Sequence, residues 1–238
     1  MKSRYLVCEG RELHFTDWGA EHREAVIAWH GLARTGRDMD ELAGHLSARY
    51  RVICPDTIGR GLSQWSPHPE REYCLDFYGR LALSLLEQLG IRNCHWVGTS
   101  MGGAIGIRLA AGALKGRMRR LVLNDMGPKI ADAAVERIKA YAGKPPQFDR
   151  LSELEQHFRT IYKPYGWLSD DQWRRLTETS TRRRFVTSVL ETLIVQRHFW
   201  LANSTSSSES PSAGQAGAIE SSVSLFVAIQ LASVFCSV

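Results

Sequence analysis

Residues 98–102 read Gly98-Thr99-Ser100-Met101-Gly102, a G-x-S-x-G turn set between two regular runs. Ahead of it, His95-Trp96-Val97 has the character of a short strand. Behind it, Gly103-Ala104-Ile105-Gly106-Ile107-Arg108-Leu109-Ala110-Ala111 is small and apolar, as a tightly packed helix would be. A strand that passes into a helix through a single serine restricts the fold severely. The serine must project from a strained turn, and only small neighbours let the helix come that close to the strand. The turn therefore marks Ser100 as a candidate nucleophile and predicts strands alternating with helices around it.

The surrounding sequence supplies that alternation. Tyr5–Cys8 and Leu13–Thr16 read as an opening hairpin turned at Glu9-Gly10. Ala25-Val26-Ile27-Ala28-Trp29 is a continuous apolar run, fitting a strand buried on both faces, and it stops at His30-Gly31. Tyr50–Cys54 is the next strand, ending at Pro55-Asp56, and Arg120–Asn124 a further one, ending at Asp125. Asp38–Leu46 and Asp76–Leu89 have helical spacing, the second ended by Gly90. The expected fold class is α/β, a mostly parallel central sheet flanked by helices.

From about Ile130 to Arg184 the pattern is helical without strands. Ala131–Tyr141, Leu151–Tyr162 and Ser169–Thr179 are the expected helices, with capping boxes at Ser152/Glu155 and Ser169/Gln172. Residues 1–128 thus read as a core and 129–184 as a helical cap over the mouth of the sheet. After Arg184 the composition changes abruptly: only Glu191, Arg197, Glu209 and Glu220 are charged, and Asn203–Ser212 is serine-rich. Residues 185–238 read as a tail foreign to the fold, as a shifted reading frame or a fusion would produce. Ser221–Val238 is apolar, but its serines favour a strand-like or ill-packed tail over a membrane anchor. A sheet that stops at the Arg120–Asn124 strand would leave that edge open.

The chain is mildly basic, with a formal charge of +5. The clusters Lys115/Arg117/Arg119/Arg120 and Arg182–Arg184 lack aromatic interleaving, so they read as solvated charge and not as a nucleic-acid surface. Cys8, Cys54, Cys74, Cys94 and Cys236 are scattered and odd in number, which fits reduced thiols in a cytoplasmic protein. Charged residues come too early at the N-terminus for a signal peptide. The glycines at 98, 102, 103 and 106 are in the wrong order for a dinucleotide loop.

Three motifs in order, His30-Gly31-Leu32, Pro55-Asp56-Thr57-Ile58-Gly59-Arg60-Gly61-Leu62-Ser63 and the Ser100 turn, resemble the α/β-hydrolase superfamily. The resemblance runs from about Tyr5 to Arg184. It is nearest to the small branch of meta-cleavage-product hydrolases, enol-lactonases, haloperoxidases and esterases. It implies Ser100 as nucleophile and the backbone N–H groups of Met101 and Leu32 as an oxyanion hole. His30 and Gly31 would shape that hole, and the Asp56–Arg60 segment would brace its loop. It implies a small-molecule substrate, no metal and no organic cofactor. The expected order of a triad is Ser, then Asp or Glu, then His. Asp125 stands where some members keep the acid, although near relatives use that aspartate in a structural turn. His198 is the one histidine beyond the cap; no glycine precedes it and no second strand is evident before it. The leading expectation is a serine hydrolase of small carboxylic esters, lactones or activated C–C bonds. The alternative is an impaired homologue without the triad histidine.

Overall fold

The computed structural model describes residues 1–127, 147–163, 166–183, 190–192 and 224–228. The chain opens with β1 (Lys2–Cys8) and β2 (Arg11–Trp18), an antiparallel hairpin in which Cys8 faces Arg11. Glu9 and Gly10 both take positive φ, 51° and 72°, the geometry a two-residue hairpin turn demands. β3 (Ala25–Trp29), β4 (Arg51–Pro55), β5 (Cys94–Thr99) and β6 (Met118–Asn124) follow. With β10 (Ser224–Ala228) they form one seven-stranded sheet in the order β1-β2-β4-β3-β5-β6-β10. Pairing is antiparallel from β1 through β2 to β4 and parallel from there on.

Every residue of β3 is buried, and its side chains alternate between two cores. Val26 and Ala28 pack with Val52, Cys54 and Met39 beside α1 (Asp40–Leu46). Ile27 and Trp29 face the larger cluster on the other side. There Phe77, Leu81 and Leu85 of α3 (Leu75–Gln88) meet Ile105 and Leu109 of α4 (Met101–Ala111). A short α2 (Pro69–Glu72) precedes α3 and ties back to the hairpin, Arg11 Nε donating to Glu72 at 2.7 Å. The period of two within β3 is what lets one strand serve both cores.

Beyond the core, α5 (Leu151–Ile161) and α6 (Asp170–Thr179) bury Leu154, Phe158 and Trp173 against each other. The pair is fastened to the core where Thr35 Oγ1 donates to the Thr179 carbonyl at 3.1 Å and Arg175 meets Asp40 at 3.0 Å. The Ser169/Gln172 capping box forms with both bonds in place, 3.3 and 2.9 Å. The other expected box does not. The helix starts at Leu151 as expected, but its box lies earlier, with Glu153 accepting the Arg150 backbone N–H at 3.3 Å.

Two further expectations are corrected. The stretch from 130 to 184 is not free of strands: β7 (Gln147–Phe148) and β8 (Thr181–Arg183) lie in it, and both pair with β9 (Leu190–Thr192) between them in a small antiparallel sheet. These strands are two or three residues long, too short for alternation to register in the sequence. Nor is the β6 edge open. Ser224–Ala228 pairs with it in parallel, Ser224 opposite Arg120 and Ala228 opposite Asn124. That uncharged run in the tail thus satisfies backbone groups that an open edge would expose. The expected helix Ala131–Tyr141 lies outside the described residues.

Candidate active site

Ser100 sits at the carboxyl end of β5 with φ 48° and ψ −109°, immediately before α4. Positive φ is strained for a residue with a Cβ, and the surroundings hold it. The Ser100 N–H donates to the Asn124 carbonyl at 2.9 Å, and its own carbonyl accepts the Ala104 N–H at 3.0 Å. Asn124 Nδ2 also donates to Thr99 Oγ1 at 3.1 Å, which knits the end of β6 to the turn. On the other side, Trp96 Nε1 donates to the Gly102 carbonyl at 2.9 Å. Trp96 is stacked on Trp29, with ring centroids 5.4 Å apart. There is no space for larger residues here: a Cβ on Gly98 would lie 2.3 Å from the Gly102 carbonyl oxygen. Met101 is the first residue of α4, so its N–H has no acceptor within the helix.

The loop after β3 runs beside this turn. A Cβ on Gly31 would lie 3.8 Å from Ser100 Cβ. His30 is fully buried. Its Nδ1–H donates to the Gly31 carbonyl at 2.6 Å, and its Nε2 accepts the Thr57 N–H at 2.9 Å. The backbone donor on Nε2 assigns the proton to Nδ1. Burial pushes the His30 pKa down to about 4, so the ring is neutral at pH 7. Both nitrogens are engaged, which leaves neither for Ser100. The Leu32 N–H has no hydrogen-bond partner among the described residues.

The loop after β4 braces the loop after β3. Asp56 is buried, and its carboxylate accepts the Gly36 N–H at 2.7 Å, the Leu62 N–H at 2.8 Å and His14 Nδ1 at 2.7 Å. Arg60 is also buried, and its Nε donates to the Leu32 carbonyl at 2.6 Å. The His14–Asp56 contact escaped the sequence reading. His14 lies in the stretch Leu13–Asp17 of β2, all of it buried, but no local pattern pairs it with a residue 42 positions away.

Asp125 follows β6 with φ 52°, is exposed, and has no hydrogen-bond or ion-pair partner among the described residues. His198 lies outside the described residues. The chain has eight histidines, and the other seven are described. None of those seven is hydrogen-bonded to Ser100. His14, His22, His30, His45 and His95 bond elsewhere, and His157 lies against Phe148 at 5.2 Å. In the cap, Trp173 is buried in the cap cluster, Tyr162 packs against that cluster, and Trp167 is 76% exposed.

At the amino ends of the strands, opposite Ser100, a groove of about 880 Å³ is lined by Arg23, Arg51, Arg92, Arg119 and Arg120 among others. Cys8, Cys54, Cys74 and Cys94 are free thiols, and burial raises the pKa values of Cys8, Cys54 and Cys94. Among the described residues no group of three or more His, Cys, Asp or Glu could hold a metal ion, and no helix is long and apolar enough to cross a membrane.

A mostly parallel sheet covered on both faces, with a strained serine between β5 and α4, defines the class: the chain belongs to the α/β-hydrolase fold family, whose model matches residues 24–204. The match continues past Arg184, where the sequence resemblance stops. The chain is 44% identical over 164 residues to the 3-hydroxybutyrate-oligomer hydrolase of Cupriavidus necator, covering 68% of this chain and 55% of that protein. It is 31% identical over 123 residues to a non-heme chloroperoxidase of Streptomyces lividans, covering 51% and 44%. The chain thus spans about half the length of these curated relatives. An α/β hydrolase from Novosphingobium aromaticivorans superimposes with a TM-score of 0.77 at 25% identity, covering 95% of this chain and 90% of that one.

Proposed function

We propose that this protein is a serine hydrolase of small carboxylic esters, lactones or activated C–C bonds, working through an acyl-enzyme. The reading is carried by the juxtaposition of the strained Ser100 turn with the Leu32 N–H in the loop beside it, which has no partner among the described residues. Ser100 Oγ attacks the carbonyl carbon and gives its proton to a base. The Leu32 and Met101 N–H groups hold the oxygen as negative charge develops on it. Collapse of the adduct expels the leaving group, which takes up the proton. Water then repeats the sequence on the acyl-enzyme and releases the acid.

The relative from Cupriavidus necator is named for 3-hydroxybutyrate oligomers, and we extend that class to this chain as short hydroxyacid esters. His198 is assigned as the base, because no described histidine is bonded to Ser100, and Asp125 as the acid that orients it. The free cysteines support a cytoplasmic setting. A small-molecule substrate is the partner; no nucleic acid or membrane is involved.

One observation favours a second reading. No described histidine reaches Ser100, so the chain would be an impaired homologue if His198 does not. Hydrolysis of p-nitrophenyl butyrate and of a 3-hydroxybutyrate dimer by the wild type, Ser100→Ala and His198→Gln separates the two. The serine-hydrolase reading expects turnover that falls on the order of 10⁶-fold in Ser100→Ala, with a comparable loss in His198→Gln. Turnover that survives Ser100→Ala sinks it. Folded wild-type protein without turnover establishes the impaired homologue.

A further inference from the structure

We infer that Arg60 is a positioning residue for the oxyanion donor at Leu32: it holds the peptide that follows Leu32 so that the Leu32 N–H stays aimed at the space beside Ser100. The inference rests on the proposed serine-hydrolase reading.

Gly31 gives the loop little backbone stiffness of its own, so the Gly31–Leu32 peptide is free to turn unless something holds it. Two bonds hold its carbonyl. His30 Nδ1 donates to the Gly31 oxygen at 2.6 Å and the Arg34 N–H donates to it at 3.2 Å. No described peptide is cis, so the Leu32 N–H points opposite to that carbonyl, away from His30. These bonds fix one side of Leu32 only. Rotation about the Leu32 N–Cα bond would still let the loop drift. The Arg60 guanidinium closes that freedom by taking the Leu32 carbonyl at 2.6 Å.

Arg60 is well placed to act as an anchor. Its Nη1 donates to the Ile58 carbonyl at 3.0 Å and to the Tyr78 hydroxyl at 3.1 Å, and the cation lies 5.5 Å above the Tyr78 ring. It is 1% exposed. Burying a guanidinium is costly, and an apolar side chain of similar volume would fill the space without that cost. A fold that keeps the cation here is using its donors. The Leu32 carbonyl, which accepts from the Arg60 Nε, borders the reacting site. A donor misplaced by about 1 Å loses on the order of 10²-fold in rate. Because the donor acts on charge that exists only in the transition state, the loss falls on kcat and leaves KM alone.

The test compares wild type, Arg60→Met, Arg60→Lys and Tyr78→Phe for kcat and KM on p-nitrophenyl butyrate and for Tm, with a crystal structure of Arg60→Met. Tyr78→Phe removes a bond from the same buried guanidinium without touching Leu32. The expectation is a kcat about 10²-fold lower in Arg60→Met with KM within about threefold. Arg60→Lys, whose ammonium can still reach the carbonyl, regains about tenfold of that loss. Tyr78→Phe lowers Tm while kcat stays within about threefold. In the Arg60→Met structure the Leu32 N–H has turned from the space beside Ser100. The inference is overturned if kcat falls in Tyr78→Phe as it does in Arg60→Met, if Arg60→Met keeps its kcat, or if the Leu32 peptide does not move. If Arg60→Met does not fold, a kcat loss confined to Arg60→Lys decides for it and an unchanged kcat against it. If the wild type has no Ser100-dependent turnover, the functional reading is what fails, and the orientation of the Leu32 peptide in the variant alone decides the role of Arg60.

Discussion

Gly102 lies against Trp29: a Cβ at position 102 would stand 2.2 Å from the Trp29 carbonyl oxygen. The first turn of α4 is therefore pressed onto the end of β3. That contact sets how far Ser100 projects and how near it comes to the loop that leaves β3.

Gly102→Ala must push α4 off the sheet, since the atom it meets is backbone and cannot rotate away. Overpacking of this kind costs on the order of 3 kcal/mol, or a Tm lower by roughly 6–12 °C for a domain of this size. Calorimetry checks it. An unchanged Tm would mean that the helix start is not held as tightly as the contact implies.

The His30 pKa of about 4 makes stability depend on pH. The folded ring resists protonation and the unfolded one does not, so between about 4 and 6.5 the unfolded chain binds more protons. The contribution is fully present above pH 6.5 and is lost as the pH falls towards 4, on the order of 3 kcal/mol in all. Urea melts from pH 7.5 to 4.5 should show it, and a flat profile would argue against a buried neutral ring.

Asp56 accepts from two backbone N–H groups and from His14. In Asp56→Asn an amide NH₂ must face at least one of those donors. The expected loss is about 3 kcal/mol, with slower ester turnover because Gly36 and Leu32 share one loop. Thermal melts and kcat on p-nitrophenyl butyrate measure the two effects.

Trp173→Ala removes the largest member of the cap cluster with Leu154 and Phe158. Truncating a buried aromatic costs about 3–5 kcal/mol. The loss should be local: hydrogen exchange should quicken in α5 and α6 while β3 to β6 stay protected. Trp167→Ala, at an exposed position, should shift stability by less than about 0.5 kcal/mol.

Much of this fold is legible in the sequence because its signals are short-range. The apolar run Ala25–Trp29 reads as a strand covered on both faces, and its residues divide between the two cores. Ser169 and Gln172 stand at the spacing a capping box needs, and the box forms. Ser100 stands out because its glycine neighbours encode a turn that larger residues could not make. Where the local signal is thin the reading fails. Ser152 offered itself as a cap, yet it lies inside the helix, where Glu153 reaches back to Arg150 instead. Ser224–Ala228 carries no pattern that names β6 as its partner, because parallel pairing across a hundred residues leaves no mark in either segment.

The α/β class, the strand-to-helix turn at Ser100 and the loops that follow β3 and β4 are all written in the order of the residues. Each of these rests on backbone conformation and on periodicity, which neighbouring residues specify. It took the folded sheet to close off His30 between Gly31 and Thr57, to bring His14 to Asp56 and to set Arg60 on the carbonyl of Leu32. Those contacts join segments 27 to 42 residues apart, apart from the adjacent His30–Gly31 bond. They exist because buried polar groups must find partners wherever the packed strands bring them, and that placement is a property of the sheet as a whole.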